Sequence, residues 1–153
     1  MNSRQLMDSA YTSASKEASR TAIHAKNPLV KKQRREQILL KEMAVKIIYQ
    51  LKEKSKKIPS IEKFDPFTLE MVSSIEKPEK LMQASSQLNK SLKVIKKIQI
   101  NSSKQIFKAK NPDDVIKVRK QFMARTHSVL KSLEKNIKII EKFEKKQEKN
   151  PFN

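Results

Sequence analysis

The 153-residue sequence contains no glycine. Average globular composition is about 7% glycine, so about ten would be expected in a chain of this length. The phosphate-binding loops of nucleotide enzymes need glycine for tight turns and for close approach of the backbone to the phosphate, which excludes that class of site. Glycine in a helix costs about 1 kcal/mol relative to alanine. Its absence therefore favours a chain that is almost entirely helical.

Cysteine is also absent, which excludes disulfides, thiol nucleophiles and cysteine zinc sites. The longest apolar runs are three residues, such as Ile38-Leu39-Leu40, too short to span a bilayer, and the N-terminus lacks an apolar signal-peptide core. We therefore expect an intracellular protein.

His24 and His127 have no neighbours at metal-ligand spacing, and no set of nucleophile, base and orienting group is readable. The sequence predicts no catalytic site, no metal and no cofactor.

Negative charge is scarce, since 16 acidic residues face 35 lysines and arginines, giving a net charge of +19. A charge of this size opposes compaction by self-repulsion. A polyanionic partner supplies the missing countercharge and releases counterions on binding. Nucleic acid is the first candidate partner, and an anionic membrane surface is the second.

Apolar residues recur at spacings of three and four, which predicts helices and no strand. We predict five helices, at about Arg4–His24, Val30–Lys57, Phe67–Ile75, Pro78–Lys108 and Pro112–Lys149. Asn111-Pro112-Asp113-Asp114 is the strongest local signal, with an N-cap, proline at the first position and acids in the first turn. The predicted fold is all-α, one domain over residues 1–153, an antiparallel bundle of three to four long helices plus one short helix.

Basic residues concentrate on two surfaces. At about 100° per residue, the lysines of the fourth predicted helix project opposite its apolar seam and have no acid partner. A helix face that only contacts solvent tends to carry both positive and negative residues. The last helix has such a face, with Glu134, Glu141 and Glu144 among its lysines. We therefore predict RNA contacts from the fourth helix and from the start of the second helix: Lys90, Lys93, Lys97, Lys104, Lys108, Lys31, Lys32, Arg34 and Arg35.

Most phenylalanines sit at core spacing. We predict a core position for Phe64, Phe67, Phe107, Phe122 and Phe143. This assignment argues against base stacking on single strands and favours backbone and shape contacts with folded RNA. Arg125 and Asn136 fall on the predicted buried side of the last helix, where Arg125 either pairs with a carboxylate or lies where the helix opens toward a phosphate.

Several segments carry a family resemblance. They are Ser13-Ala14-Ser15-Lys16, Lys31-Lys32-Gln33-Arg34-Arg35-Glu36, the connector Ile58-Pro59-Ser60-Ile61-Glu62-Lys63-Phe64-Asp65-Pro66-Phe67, Lys108-Ala109-Lys110-Asn111-Pro112-Asp113, Arg119, and Arg125-Thr126-His127-Ser128-Val129. Together they resemble the N-terminal helical domain of the nucleolar GTP-binding protein family, particularly its archaeal members, which are Obg-related GTPases of large-subunit assembly. Ala124 stands where the family usually has glycine.

The resemblance implies a helical bundle that docks on large-subunit rRNA of a pre-ribosomal particle near the catalytic centre, and it adds Arg119 and Arg125 to the expected RNA contacts. In the family a GTPase domain follows the last helix, so we expect an excised, partial or split form, with that domain as a partner in cis or in trans and no catalysis in this chain. The expected location is cytoplasmic and ribosome-associated, or nucleolar in a eukaryote. A protein-interaction scaffold and an anionic-membrane-surface binder remain alternatives.

Overall fold

The computed structural model describes residues 2–56, 58, 65–67, 70 and 77–148. Within these ranges the chain forms helices and no strand, which confirms the all-α prediction. The helices are α1 Ser3–Arg20, α2 Pro28–Lys56, α3 Pro78–Lys108, α4 Pro112–Ser132 and α5 Glu134–Glu148. The predicted short helix at 67–75 and Phe64 lie largely or wholly outside the described residues. No described helix is long and apolar enough to cross a membrane.

Helix starts follow the side chains that precede them. Asn2 and Gln5 form a reciprocal capping box at α1, with two 2.9 Å hydrogen bonds between side chain and backbone. Asn27 accepts from the backbone N–H of Leu29 at 2.8 Å and caps α2. Asn111 accepts from the backbone N–H of Asp114 at 2.9 Å, with Pro112 next in the chain. The predicted cap of α4 is confirmed, because the asparagine oxygen satisfies a backbone donor that has no helical partner.

The end of α1 comes four residues before the predicted one. Thr21 leaves the helix with extended backbone angles, and its hydroxyl donates to the carbonyl of Glu17 at 2.9 Å. The guanidinium of Arg35 donates to the carbonyl of Ala18 at 2.7 Å. Arg35 therefore satisfies the carbonyl that the Ala22 N–H would have bonded in a longer helix, and the apolar residues Ala22 and Ile23 follow the helix rather than extend it.

The predicted last helix is interrupted at Leu133, which separates α4 from α5. The Ser132 hydroxyl donates to the Val129 carbonyl at 2.6 Å, and that carbonyl is the one that Leu133 would bond in a continuous α-helix. The Leu133 N–H bonds instead to the carbonyls of Leu130 and Lys131. The Ser132 hydroxyl competes with the backbone N–H for the Val129 carbonyl. This competition explains why the last turn of α4 closes with shorter-range backbone hydrogen bonds than an α-helix has.

Contacts between helices show the antiparallel arrangement. Gln33 donates to the carbonyl of Ala109, Gln37 to that of Ser103, and Ser55 lies 3.1 Å from Ser85, so α2 and α3 run in opposite directions. Arg35 of α2 reaches the end of α1, whereas Gln50 and Leu6 line one cavity near the other end. Arg119 pairs with Glu36, and Glu141 with Lys54, so α4 and α5 run parallel to α2. The predicted antiparallel bundle is confirmed.

One hydrophobic core joins the five helices. Its largest fully buried side chains include Phe122, Phe143, Leu40, Met43, Ile47, Leu51, Leu81, Leu88, Ile95, Ile106, Leu130 and Ile137. Three buried alanines, Ala10, Ala14 and Ala18, lie along the inner side of α1. Small side chains at this spacing allow α1 to approach α2 closely.

Three core assignments made from the sequence are wrong. Phe107 is 76% exposed, because the adjacent Ile106 takes the inward direction at the end of α3, and neighbouring helical side chains diverge by about 100°. Phe67 is 50% exposed. Arg125 is exposed and Thr126 occupies the buried position beside it. The core positions of Phe122 and Phe143 are confirmed, and Asn136 is half-buried.

Candidate nucleic-acid interface

The lysines of α3 form an exposed row. Lys90, Lys93, Lys97, Lys104 and Lys108 are all exposed, whereas Leu81, Leu88, Ile95 and Ile106 on the opposite side are fully buried. The seam includes the buried Ser102, and Leu92 and Ile98 pack partly against the core. From Lys80 to Lys108 the sequence holds no aspartate or glutamate. We call these five lysines the outer lysine row; their geometry suits successive phosphates along one backbone.

The basic start of α2 has two kinds of residue. Lys31 and Arg34 are exposed, whereas Lys32 and Arg35 are half-buried. Arg34 donates to the carbonyl of His24 at 3.4 Å, and Arg35 binds the Ala18 carbonyl. Arg35 therefore holds the end of α1 against α2, while Lys31 and Arg34 keep more of their surface in solvent.

The start of α2 meets the end of α3. Gln33 bonds the carbonyls of Ile106 and Ala109 at 3.0 and 2.9 Å, and Gln37 bonds the Ser103 carbonyl at 2.9 Å. Arg34 and Ser103 line one cavity, and Gln37 lines the next one together with Lys108. The bundle thus brings two basic segments, separated by about seventy positions in the sequence, to the same end.

Arg119 and Arg125 occupy other surroundings. Arg119 lies between α2 and α4, where its Nη1 atom is 3.0 Å from Glu36 Oε1 and its side chain is 25% exposed. Arg125 is exposed on α4 and lines none of the cavities between α2 and α3. Nine of the eleven predicted contacts therefore lie on α2 and α3, where the start of α2 meets the end of α3 near Lys104 and Lys108, and these two arginines lie on α4.

A furrow between α2 and α3 was not expected from the sequence. Gln99 lines three adjoining cavities, of which the largest is ≈ 490 Å³. Lys41 joins the largest cavity to the second, and Gln37 and Ser103 join it to the third. We call the three cavities together the α2–α3 furrow. Exposed apolar side chains on it are Val45 at 50%, Tyr49 at 61%, Ile100 at 41% and Phe107 at 76%. The sequence did hold a signal for this furrow. Val45 and Tyr49 are four positions apart, so they share a helix face, and that face is not the one that α2 turns toward the core.

Acidic side chains lie elsewhere in the bundle. Glu134 accepts from the Ser3 hydroxyl at 2.6 Å and from the Ser3 N–H at 3.3 Å, and these hydrogen bonds hold the pKa of its carboxyl below the ordinary value. Burial alone would raise the pKa of Glu141, yet neighbouring positive charge, including Lys54 at 3.3 Å, keeps that pKa low. Helix α5 therefore carries a mixed surface, unlike α3.

Metal-binding side chains do not converge in the described part of the chain. Across residues 2–56, 58, 65–67, 70 and 77–148, no group of three or more His, Asp or Glu side chains is placed to hold a metal ion. Two buried oxygens in this part, Glu36 Oε2 and Thr126 Oγ1, have no hydrogen-bond partner. They belong to separate positions in α2 and α4, so the basic surface remains the best-supported site.

Comparison with known families matches the whole bundle. The family model of the NOG1 N-terminal helical domain matches residues 1–151, a span that contains all five helices. A search of curated proteins gives no match. The family match confirms the resemblance seen in the sequence motifs.

Proposed function

The chain belongs to the NOG1 N-terminal helical domain family, and from this membership we propose that it is the rRNA-docking module of a large-ribosomal-subunit assembly factor. The bundle binds RNA through lysine and arginine contacts to phosphates. It docks on a pre-ribosomal particle, in the cytoplasm or, in a eukaryote, in the nucleolus. Catalysis belongs to a GTPase domain that acts in cis or in trans, and none is assigned to these helices.

The outer lysine row is the observation that carries this proposal. Five exposed lysines follow one side of α3, and no acid occurs between Lys80 and Lys108 to neutralise them. Phosphate contacts of this kind position a protein on RNA without reading its sequence. Arg34 and Lys31 extend the positive surface at the end of α3 that faces the start of α2.

A rigid support favours this role. The seam residues Leu88, Ile95 and Ile106 are fully buried beneath the row, so α3 is fixed along its length by packing. Lysines on a fixed helix lose less freedom on binding than lysines on an unsupported segment, because only their side chains must be ordered. The bundle is therefore a preorganised positive surface.

The deciding experiment measures RNA binding across a range of salt concentrations. Large-subunit rRNA or large-subunit particles should bind tightly at 50 mM salt, and six to ten phosphate contacts would weaken binding by about 10³ to 10⁵ at 200 mM. Absent or salt-insensitive binding contradicts the proposal. Anionic liposomes and an acidic protein serve as competitors, and either one outcompeting RNA would favour the membrane-surface or scaffold alternative.

A further inference from the structure

We propose that the α2–α3 furrow binds an acidic amphipathic helix of a protein partner. This inference is separate from the RNA-docking proposal, because it concerns the apolar floor of the furrow. The furrow shares Lys93, Lys104 and Lys108 with the outer lysine row, whereas Lys90 and Lys97 lie outside it. It rests on three features of the furrow: its apolar floor, its basic rims and its length.

The floor of the furrow is aliphatic. Ile48 and Leu92 pack partly against the core from α2 and α3 and line the same cavity, together with Ala44. Val45 is 50% exposed above them and Tyr49 is 61% exposed. Covering exposed apolar surface of this kind with another apolar surface is favourable by roughly 25 cal/mol per Å² of area buried. The occupant therefore presents aliphatic side chains to the furrow.

The rims of the furrow are cationic. Lys41 and Lys52 stand on the α2 side, and Lys93 and Lys96 on the α3 side. The residues that line the three cavities of the furrow include no aspartate or glutamate. An occupant with carboxylates on both flanks of an apolar stripe would pair with both rims, and that pattern is an acidic amphipathic helix.

The length and shape of the furrow suit a helix. Lys41 to Lys52 covers about three turns of α2, or about 16 Å at 1.5 Å per residue. The furrow lies between two antiparallel helices, where side-chain ridges of a third helix can fit the groove. Binding of an amphipathic helix in such a groove uses apolar anchors at spacings of three and four.

RNA is the less suitable occupant of this floor. Bases stack on flat aromatic faces, and the two exposed aromatic side chains of the furrow, Tyr49 and Phe107, line different cavities. Lys90 and Lys97 of the outer lysine row line none of the three cavities. We therefore assign RNA to the lysine row and a helix to the apolar floor beside it.

The test uses a synthetic, fluorescein-labelled peptide of 18 residues. Leucines at spacings of three and four form one face, and glutamates and alanines fill the remaining positions. A control peptide has the same composition with the leucines distributed around the helix. We expect saturable binding of the first peptide by fluorescence anisotropy and binding of the control at least tenfold weaker. Equal binding of the two peptides, or no saturation up to about 1 mM, overturns the proposal.

Paired variants locate the site. V45S/Y49S should weaken peptide binding about tenfold or more, because these side chains are the exposed anchors, whereas V94S should leave it unchanged, since Val94 is 47% exposed but lies outside the furrow. Likewise K52Q/K96Q should weaken peptide binding, and the outer-row variant K97Q should not. Circular dichroism checks that each variant remains helical.

The same variants separate this proposal from RNA docking. K90Q/K97Q, at two row positions outside the furrow, should reduce RNA binding and leave peptide binding intact, so failure of one activity does not imply failure of the other. If V45S/Y49S reduces RNA binding while peptide binding is unchanged, the furrow is an RNA site and the proposal is wrong.

Discussion

Arg119 of α4 and Glu36 of α2 form an ion pair between helices, with 3.0 Å between Arg119 Nη1 and Glu36 Oε1. The Glu36 side chain is 9% exposed, and its second carboxylate oxygen has no hydrogen-bond partner among the described residues. Burial removes this carboxylate from water at a cost in free energy, and the neighbouring guanidinium offsets that cost. Arg119, which the family resemblance implied as an RNA contact, therefore serves the packing of α2 against α4.

Removal of Arg119 should destabilise the bundle. We expect R119Q to lower the free energy of unfolding by about 1–3 kcal/mol, because Glu36 is left largely buried without its cation. Urea unfolding followed by circular dichroism measures the change. The exposed R125Q is the matched control and should stay within about 0.5 kcal/mol of the wild type. Adding E36Q to R119Q should recover part of the loss, and a lack of recovery would show that the pair is not its cause.

Neutralising the outer lysine row should weaken RNA binding more than neutralising lysines of α5. We expect K93Q/K97Q/K104Q to lower affinity and to reduce the slope of log K against log salt by about 2 to 3, since each lost phosphate contact removes about 0.9 from the slope. The control K135Q/K142Q/K145Q removes the same charge from exposed positions on α5. Equal effects of the two triple variants would show that net charge, rather than the row, governs binding.

The two phenylalanines Phe107 and Phe122 should differ sharply in their effect on stability. F122A should cost about 3–5 kcal/mol, because Phe122 is fully buried and its removal leaves a cavity. F107A should change the unfolding free energy by less than about 0.5 kcal/mol, because Phe107 is 76% exposed. Thermal or urea unfolding measures both. A large loss in F107A would contradict its exposed position.

The interruption at Leu133 should depend on the Ser132 hydroxyl. In S132A the Val129 carbonyl becomes free to accept the Leu133 N–H, so the helix should continue from α4 into α5 and amide exchange at Leu133 should slow. S128A is the control, since Ser128 is exposed in the interior of α4. Both variants should gain up to about 0.5 kcal/mol from helix propensity, but only S132A should alter exchange at Leu133.

Acid should weaken the contact between Ser3 and Glu134. The hydrogen bonds from Ser3 lower the pKa of Glu134 in the folded state. A group with a lowered folded pKa contributes stability above its unfolded pKa and loses it as pH falls through the folded value. This contribution should therefore be complete at neutral pH and disappear from about pH 4.5 downward.

Carboxyl NMR titration measures that contact directly. S3A should move the pKa of Glu134 upward toward its ordinary value, because the hydroxyl donor is lost. T12A, at an exposed position of α1, should leave the titration unchanged. An unchanged pKa of Glu134 in S3A would show that Ser3 is not responsible for the shift.

Local chemistry explains which structural features were predictable. The Asn111 cap and the apolar seam of α3 were readable, because a cap involves residues three apart and a helical seam repeats every three or four. The end of α1 was predicted too late, because it depends on Arg35, fifteen positions beyond Arg20. The interruption at Leu133 was missed, since a serine near the end of a long apolar pattern gives a weak signal without the hydrogen bond that Ser132 makes.

The features of the candidate site also fall into those that the sequence predicts and those that depend on helix packing. The sequence by itself determined the helical class, the outer lysine row and the lack of acids along α3, because these follow from composition and from the fixed rotation of an α-helix. Only the tertiary structure decided that Arg119 pairs with Glu36, that Phe107 is exposed, and that Val45 and Tyr49 lie above Leu92 in the furrow. Those relationships join different helices, so they depend on how the helices pack and not on the period within any one of them.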